Sequence, residues 1–593
     1  MSRRAELALF WISLALVLGA CEFLNGRYFP TRLGTLGDDY AYFLPRLLAG
    51  DYWAAKNGVF AVPWFSPAFG AGLPFYAHPG SIWFSLPQWL SFVVDPLSAV
   101  HLTGLVFAAL GFAGTWLLLR RTFGTSTWPA LFGAVAFALN AFFWSRLRIG
   151  HLSFHSTLCV PLIAHWILMP LPLERARRSA VRAAVLAGIG FAYLFQSGNF
   201  YGIPPALIAI AALWAMQGLR GDARASSLVR VAGAGVVALA LCAAKLESSL
   251  AYLAHCPRTG YPLPGAKSVF GAIELVLTSL FSDPPVERAH ELLTNTGFVL
   301  ERHEWEFGVS PLPGLILALG LIAALWSLRS GLRQRVHFGW LALLVAALAL
   351  PIAVNTYGGS WHELLKRVPI VQSSSNLLRW FVAYVPLAVV GASLVLDRVK
   401  NARLLLFATL LSIAGVFAWH TTRERGYYVR RPYSPHTIVE AWHALHEHGT
   451  LPPVREIRVP KPGADEMGTL QRDDELASGG SELLCYEPMF GYHLEWFPIL
   501  GTRPGDPFQL VNGAFDFKYP AAFLYPDRAQ RAAGEGFRLD ERAELEAFLR
   551  YEPLAFDWPV THRIACALNL LALVALAIFL GWTGWLRLRS TRS

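Results

Sequence analysis

The sequence predicts a polytopic α-helical membrane protein, with about twelve transmembrane helices, long external loops and an external α+β domain before the last helix. Three observations predict it. Hydrophobic residues make up 54% of the 593-residue chain and charged residues only 15%, against about 25% charged in an average soluble protein. Apolar runs near the roughly 20 residues that cross a bilayer recur from end to end. Lys and Arg gather in every second connection between those runs, as they do on the cytoplasmic side of membrane proteins.

The apolar runs place helices at 7–24, 97–119, 127–145, 157–173, 181–196, 201–218, 229–245, 311–328, 337–354, 378–396, 403–419 and 563–584. With the N-terminus inside, the basic clusters fall on cytoplasmic turns: Arg3 and Arg4, Arg120 and Arg121, Arg177 and Arg178, Arg220 and Arg224, Arg398 and Arg403, Arg587 and Arg589. Both termini are then cytoplasmic. The formal charge of +10 and the pI near 9.4 follow from this topology. No basic stripe points to nucleic acid, and membrane lipids are the expected surroundings. Arg3-Arg4 and the LGAC run ending at Cys21 also resemble a lipoprotein signal peptide. A multispan chain is expected to keep its first helix as an anchor.

Three segments follow. Residues 1–419 form the transmembrane domain, including a first external loop, 25–96, rich in Trp, Phe, Pro and Gly. Residues 420–562 form an external soluble domain, where charge density rises and apolar runs shorten to strand length; REIRVP, EPMFGYHLEWFPIL and PFQLVNGAFDFKYP read as strands and turns. Residues 563–593 hold the last helix and a cytoplasmic tail. Cys256 and Cys485 fall in external segments, without the spacing of a zinc site.

Chemistry points to the external charges. Asp38 and Asp39 stand side by side in GDDYAYFLPRLLAG. Adjacent carboxylates at the mouth of a helix bundle repel each other, which makes them catalytic candidates. The alternative is a helix cap, which needs only one of them. Arg146 and Arg148, in FWSRLRIGHLSFH with His151 and His155, break the positive-inside trend. They read as a phosphate clamp or as interfacial anchors. Lys245, in KLESSLAYLAHCPR beside Glu247, enters an apolar run and needs a partner. Arg379, in SSSNLLRWFVAY, starts a span from outside and is a further phosphate candidate. The run ERHEWEFGV offers His303, Glu304 and Glu306 to sugar hydroxyls or to a divalent cation, or as a solvated surface. His78, in PFYAHPG, is a further substrate-binding candidate. His443, His446 and His448 read better as exposed helical histidines than as metal ligands.

These residues carry a likeness. GDDYAYFLPRL, WFSPAFGAGLPFYAHPGSIWFSLPQWL, KLESSLAYLAHCPR, RHEWEFGVSPLPGLI and VPIVQSSSNLLRWFVAY, in that order, resemble the GT-C class of membrane glycosyltransferases and, within it, the bacterial YfhO-like family. CYEPMFGYHLE and LVNGAFDFKYPAAFLYP are similar to that group as well. The acidic motif is Asp-Asp where several GT-C families have Asp-Glu.

The resemblance implies an enzyme of the bacterial cytoplasmic membrane. It would move a sugar, with inversion, from a polyprenyl-phosphate donor to an envelope glycan, lipid or protein acceptor on the external face. Asp39 or Asp38 would be the base. Arg146, Arg148, Lys245 and Arg379 would hold the donor phosphate. His78, His151, His303 and Glu304 would bind substrate. No cofactor is certain, and a divalent cation is possible. The absence of a Gly-rich nucleotide loop fits a lipid-linked donor. Two other classes share the donor: a transporter or flippase, and a polymerase or ligase, of lipid-linked glycans.

Overall fold

The computed structural model of the chain describes residues 2–26, 36–37, 39–171, 176–256, 263–294, 300–329, 337–374, 376–423, 433–459, 473–483 and 502–590. Asp38, Cys485 and the EPMFGYHLEWFPIL run lie outside them. Among the described residues, ten helices are long and apolar enough to cross a membrane: Arg3–Asn25, Pro96–Thr122, Thr127–Ile149, Arg177–Gln196, Phe200–Leu219, Ser226–His255, Phe338–Asn355, Leu378–Leu396, Ala402–Thr422 and Val560–Trp582. They make the chain a multi-pass membrane protein.

Each long helix falls on an apolar run of the sequence. The run expected at 157–173 falls instead on a shorter apolar helix, Leu152–Leu168, and the run expected at 311–328 falls on the helix Pro311–Arg329. The first of these stops at Met169, before Pro170, which cannot continue a helix. A further short apolar helix, Val269–Phe281, lies in a stretch read from sequence as loop. The last long helix buries only 6% of its most apolar stretch. Leu570, Leu571 and Ile578 are exposed along it, as suits a surface facing lipid.

The first external loop is mostly buried structure. Counting the first helix, Arg3–Asn25, as α1, the loop's helix α2 (Tyr40–Asn57) is buried from Tyr40 to Trp53. Beyond it, β1 (Phe65–Ser66) pairs antiparallel with β2 (Leu73–Pro74). In the C-terminal region β3 (Glu456–Arg458) runs parallel to β4 (Gly480–Glu482). A three-stranded antiparallel sheet follows: β5 (Leu510–Val511), β6 (Ala514–Lys518) and β7 (Gly536–Arg538). Helices His436–His448 and Arg542–Leu549 flank these strands.

The turn of the first loop stitches the two regions together. Gly70 donates to the Glu482 carbonyl (2.7 Å), Glu482 to Ala68 (3.1 Å), and Lys518 to Ala71 (2.7 Å). The C-terminal region therefore completes the sheet edges of the first loop.

Candidate active site

Four segments distant in sequence converge at one end of the bundle. Asn140 opens the second half of the Thr127–Ile149 helix, its side chain accepting from the Phe143 amide (3.1 Å). The helix turns off at Gly150, whose φ of +112° only glycine adopts easily. This turn carries Arg146 and delivers His151. Gly150 also lets the Asp39 segment approach: a Cβ there would lie 2.3 Å from the Tyr40 nitrogen and 2.7 Å from the Asp39 carbonyl carbon. Asp39 donates its amide to Ile149 (3.1 Å), and the Tyr40 hydroxyl donates to Leu147 (2.5 Å). Gly150→Ala combines a steric conflict with a disfavoured φ. It is expected to lower the unfolding midpoint of the purified protein in a thermal melt, and an unchanged midpoint would contradict this packing.

The third segment is the Arg302–Glu304 turn. It is held by buried ion pairs: Arg302 with Asp283 (2.7 Å), Arg423 with Asp283 (3.0 Å), and Arg423 with Glu306. The fourth is the start of the Leu378–Leu396 helix. There Asn376 caps the Leu378 amide (2.8 Å) and turns its amide group onto Glu304 (2.9 Å).

Glu304 is the hub. Its carboxylate accepts from Arg146 (2.9 Å), from Arg379 (2.5 and 3.0 Å) and from Asn376. Burial alone would raise its pKa, but the two guanidiniums hold it well below the usual range. Phe154 lies against both guanidiniums, 4.8 Å from Arg146 and 5.4 Å from Arg379.

Asp39 stands at the N-cap position of α2, yet its side chain caps no amide. The carboxylate meets the Nε2 of His151 instead. Burial pushes the Asp39 carboxyl up to about 6, against the pull of His303 and the guanidiniums, with Glu304 adding to the rise. Burial, then Arg146 and Arg379, keep His151 neutral, its pKa well below the usual value. The side chains of Asp39, His151 and Arg379 keep open edges, at 15%, 12% and 18% exposure, whereas Arg146 is at 0%. A substrate can thus touch Asp39, His151 and Arg379, while Arg146 and Glu304 stand behind them.

Asp39, His151 and His303 each place a donor atom within 4.8 Å of the others, a set that can hold a metal ion. The proton on His151 decides against it in this arrangement. Arg146 Nη1 lies 3.1 Å from His151 Nδ1, and a guanidinium can only donate. The His151 proton therefore sits on Nε2, facing Asp39. A metal would need that Nε2 lone pair, with a proton on Nδ1 aimed at the guanidinium.

The remaining candidates lie elsewhere. Arg148 turns to the end of the first helix and donates to the Asn25 side chain (3.1 and 2.8 Å). Lys245 is buried and gives its ammonium to the carbonyls of Ser81 (2.8 Å), Phe195 (3.2 Å) and Gln196 (3.1 Å). It caps the C-terminal end of the Arg177–Gln196 helix, and its three donors are taken. Glu247, read as its partner, accepts instead from Tyr525 (2.6 Å), Thr561 (3.0 Å) and His562 (2.9 Å). His78 accepts from the Gly80 amide (3.0 Å) in a tight turn. The interfacial-anchor reading of Arg146 is overturned by its complete burial against Glu304. Asn376 was missed, although it stands one helical turn before Arg379 in a run singled out for that arginine.

Beside the site lies a small apolar cavity of about 20 Å³, with Phe137, Phe142, Val160, Ala206 and Val385 in its wall. Phe142 is shared: its ring lies 5.1 Å from the Arg146 guanidinium.

No protein-family model matches the chain, and no curated protein matches it. Among solved structures it is similar to the oligosaccharyltransferase of the archaeon Archaeoglobus fulgidus. The structure of that enzyme with Zn and sulfate is 15% identical, covers 72% of this chain and 58% of its own, and gives a TM-score of 0.37. The structure with an inhibitory peptide and a dolichol-phosphate is 14% identical, covers 70% and 56%, and gives 0.36. The chain thus spans less than two thirds of that enzyme's length. The overlap is too loose to carry residues or chemistry from one to the other.

Proposed function

We propose that the chain is an inverting membrane glycosyltransferase of the GT-C kind. It takes a sugar from a polyprenyl-phosphate donor and passes it to a hydroxyl- or amide-bearing acceptor, a glycan, lipid or protein, on the external face of a bacterial cytoplasmic membrane. The observation that carries the reading is Asp39: an accessible carboxylate, raised toward neutral pH, next to arginines and an apolar cavity at one end of a bundle of membrane-crossing helices.

The geometry supports one step. Asp39 takes the proton of the acceptor as its heteroatom attacks the anomeric carbon. The bond from that carbon to the phosphate oxygen breaks on the opposite face, and polyprenyl phosphate leaves with the bonding pair. The Arg379 open edge meets the charge that gathers on the leaving phosphate. Arg146 and Arg379 together outweigh Glu304 by one positive charge. Ionised Asp39 balances that charge, so the donor phosphate is met locally, by the open edge of Arg379. The His151 Nε2–H holds the Asp39 carboxylate in place, a positioning role.

The acid limb of the pH–rate profile tests this. Asp39 works only as carboxylate, so transfer at saturating donor should be full above its pKa of about 6 and fall as pH drops through it. A rate independent of pH from 5 to 8 would remove Asp39 as base (that window spans about one unit below and two above). The same assay run with a strong chelator should lose no activity. Loss with EDTA and recovery with Mn²⁺ would show that Arg146 releases His151 for a metal.

A further inference from the structure

A second polar cavity lies well away in sequence from Asp39, on the β5–β6–β7 sheet. It measures about 450 Å³, and its wall includes Asn512, Asp516, Lys518, Glu535 and Arg538. Its origin is a bulge. Ala514 pairs with Arg538 and Lys518 with Gly536, so β6 spends four residue steps where β7 spends two. Gly536 makes the close approach possible: a Cβ there would lie 1.8 Å from the Phe515 carbonyl oxygen. Bulges re-aim side chains at sites. Strand alternation puts Asp516 and Lys518 on one face and sends Phe517 the other way, onto Phe548.

Lys518 is the unusual group. It is only 6% exposed. Among the described residues its ammonium has one recorded partner, the Asp516 carboxylate at 3.9 Å, which is beyond hydrogen-bond distance. Asp516 is itself engaged by the Arg503 amide (2.8 Å) and Gln509 (3.0 Å). The neighbouring arginines are also engaged: Arg531 holds Glu541 (2.5 and 3.0 Å), and Arg538 donates to Gln530 (2.8 Å). The rest of the side chain is covered, and the ammonium opens onto the cavity beside that one carboxylate, where a hydroxyl oxygen can add a hydrogen bond. Three donors are thus aimed into a cavity that also offers carboxylate and carboxamide acceptors. A phosphate there would meet Asp516 and Glu535. A neutral sugar satisfies both sets, because each hydroxyl accepts and donates.

We propose that this cavity binds a neutral carbohydrate, as a second site separate from the Asp39 centre. The β6 strand is joined to the first external loop through the Lys518 amide and Ala71. The bound sugar is therefore held by the same unit as α2, whose first turn carries Asp39. Resting on the transferase reading, the occupant is a distal part of a glycan acceptor, held while its end reacts.

Binding is measured on the full chain in nanodiscs, by saturation-transfer NMR and titration with neutral tetrasaccharides of glucose, galactose, mannose and N-acetylglucosamine. At least one should bind, and Lys518→Met should weaken it about tenfold or more. Lys518→Arg should recover part of the loss, which a merely structural role for Lys518 would not give. Asp39→Asn should bind as the wild type does. Equal affinity in Lys518→Met, no binding by any of the four, or displacement of the sugar by millimolar inorganic phosphate would overturn the proposal. The two readings fail separately. Binding without any transfer sinks the transferase reading and keeps this site. Transfer without binding does the reverse.

Discussion

Asp39→Asn should lower the rate of sugar transfer by roughly a hundred- to ten-thousand-fold, the usual range for removing a general base. Donor binding should hardly change. The substitution keeps shape, and the Asn oxygen can still accept from His151 Nε2–H, so the site should stay folded. What it loses is the ability to take a proton. The comparison with Asp38→Asn is informative. Asp39 faces His151 and the arginine pair, so Asp38→Asn is expected to cost far less. Full activity in Asp39→Asn with loss in Asp38→Asn would move the base by one residue.

Glu304→Gln should be the most damaging change behind the site. It leaves the Arg146 and Arg379 guanidiniums facing each other without the carboxylate they share, where Glu304 now accepts at 2.5–3.0 Å. Removing one partner of a buried pair costs about 3–5 kcal/mol, readable as a lower unfolding midpoint of the purified protein. A second effect separates electrostatics from loosened packing. Glu304 helps to raise the Asp39 pKa, so its neutralisation lowers that pKa. The acid limb of residual transfer should then move to lower pH. A limb that stays in place, or moves up, would contradict the electrostatic link between the two residues.

The membrane helices were legible because hydrophobicity is additive along a chain. A run of apolar residues announces a span whatever its neighbours do. The helix Leu152–Leu168 shows where this fails, since Pro170 cuts a run that composition alone would continue. Site membership was legible in part. The acidic pair, the external arginines with their histidine neighbour and the ERHEWEFGV loop point to Asp39, Arg146, His151, His303, Glu304 and Arg379, and the fold brings all six together. Their pairing was not legible. Glu304 read as a sugar or cation ligand, and it is the shared counter-ion of two arginines 158 and 75 residues away in sequence. Lys245 and Arg148 carry the same charge as Arg379, yet three carbonyls and an asparagine take their donors. Sequence gives the charge and not the partner, and the partner decides whether a cation is left over for a phosphate. The same limit hid Lys518, whose place in the cavity wall goes with a bulge between strands.

The most direct test of the central claim is the stereochemistry of a single turnover. The purified chain in nanodiscs is given polyprenyl-phosphate donors carrying a panel of hexoses of known anomeric configuration, with a membrane extract as acceptor. The product linkage is read by NMR. Direct attack on the anomeric carbon, with Asp39 as base, predicts transfer from at least one donor, inversion at that carbon, and no product from Asp39→Asn. Retained configuration, or bound donors that are carried across the bilayer and never transferred, would contradict it.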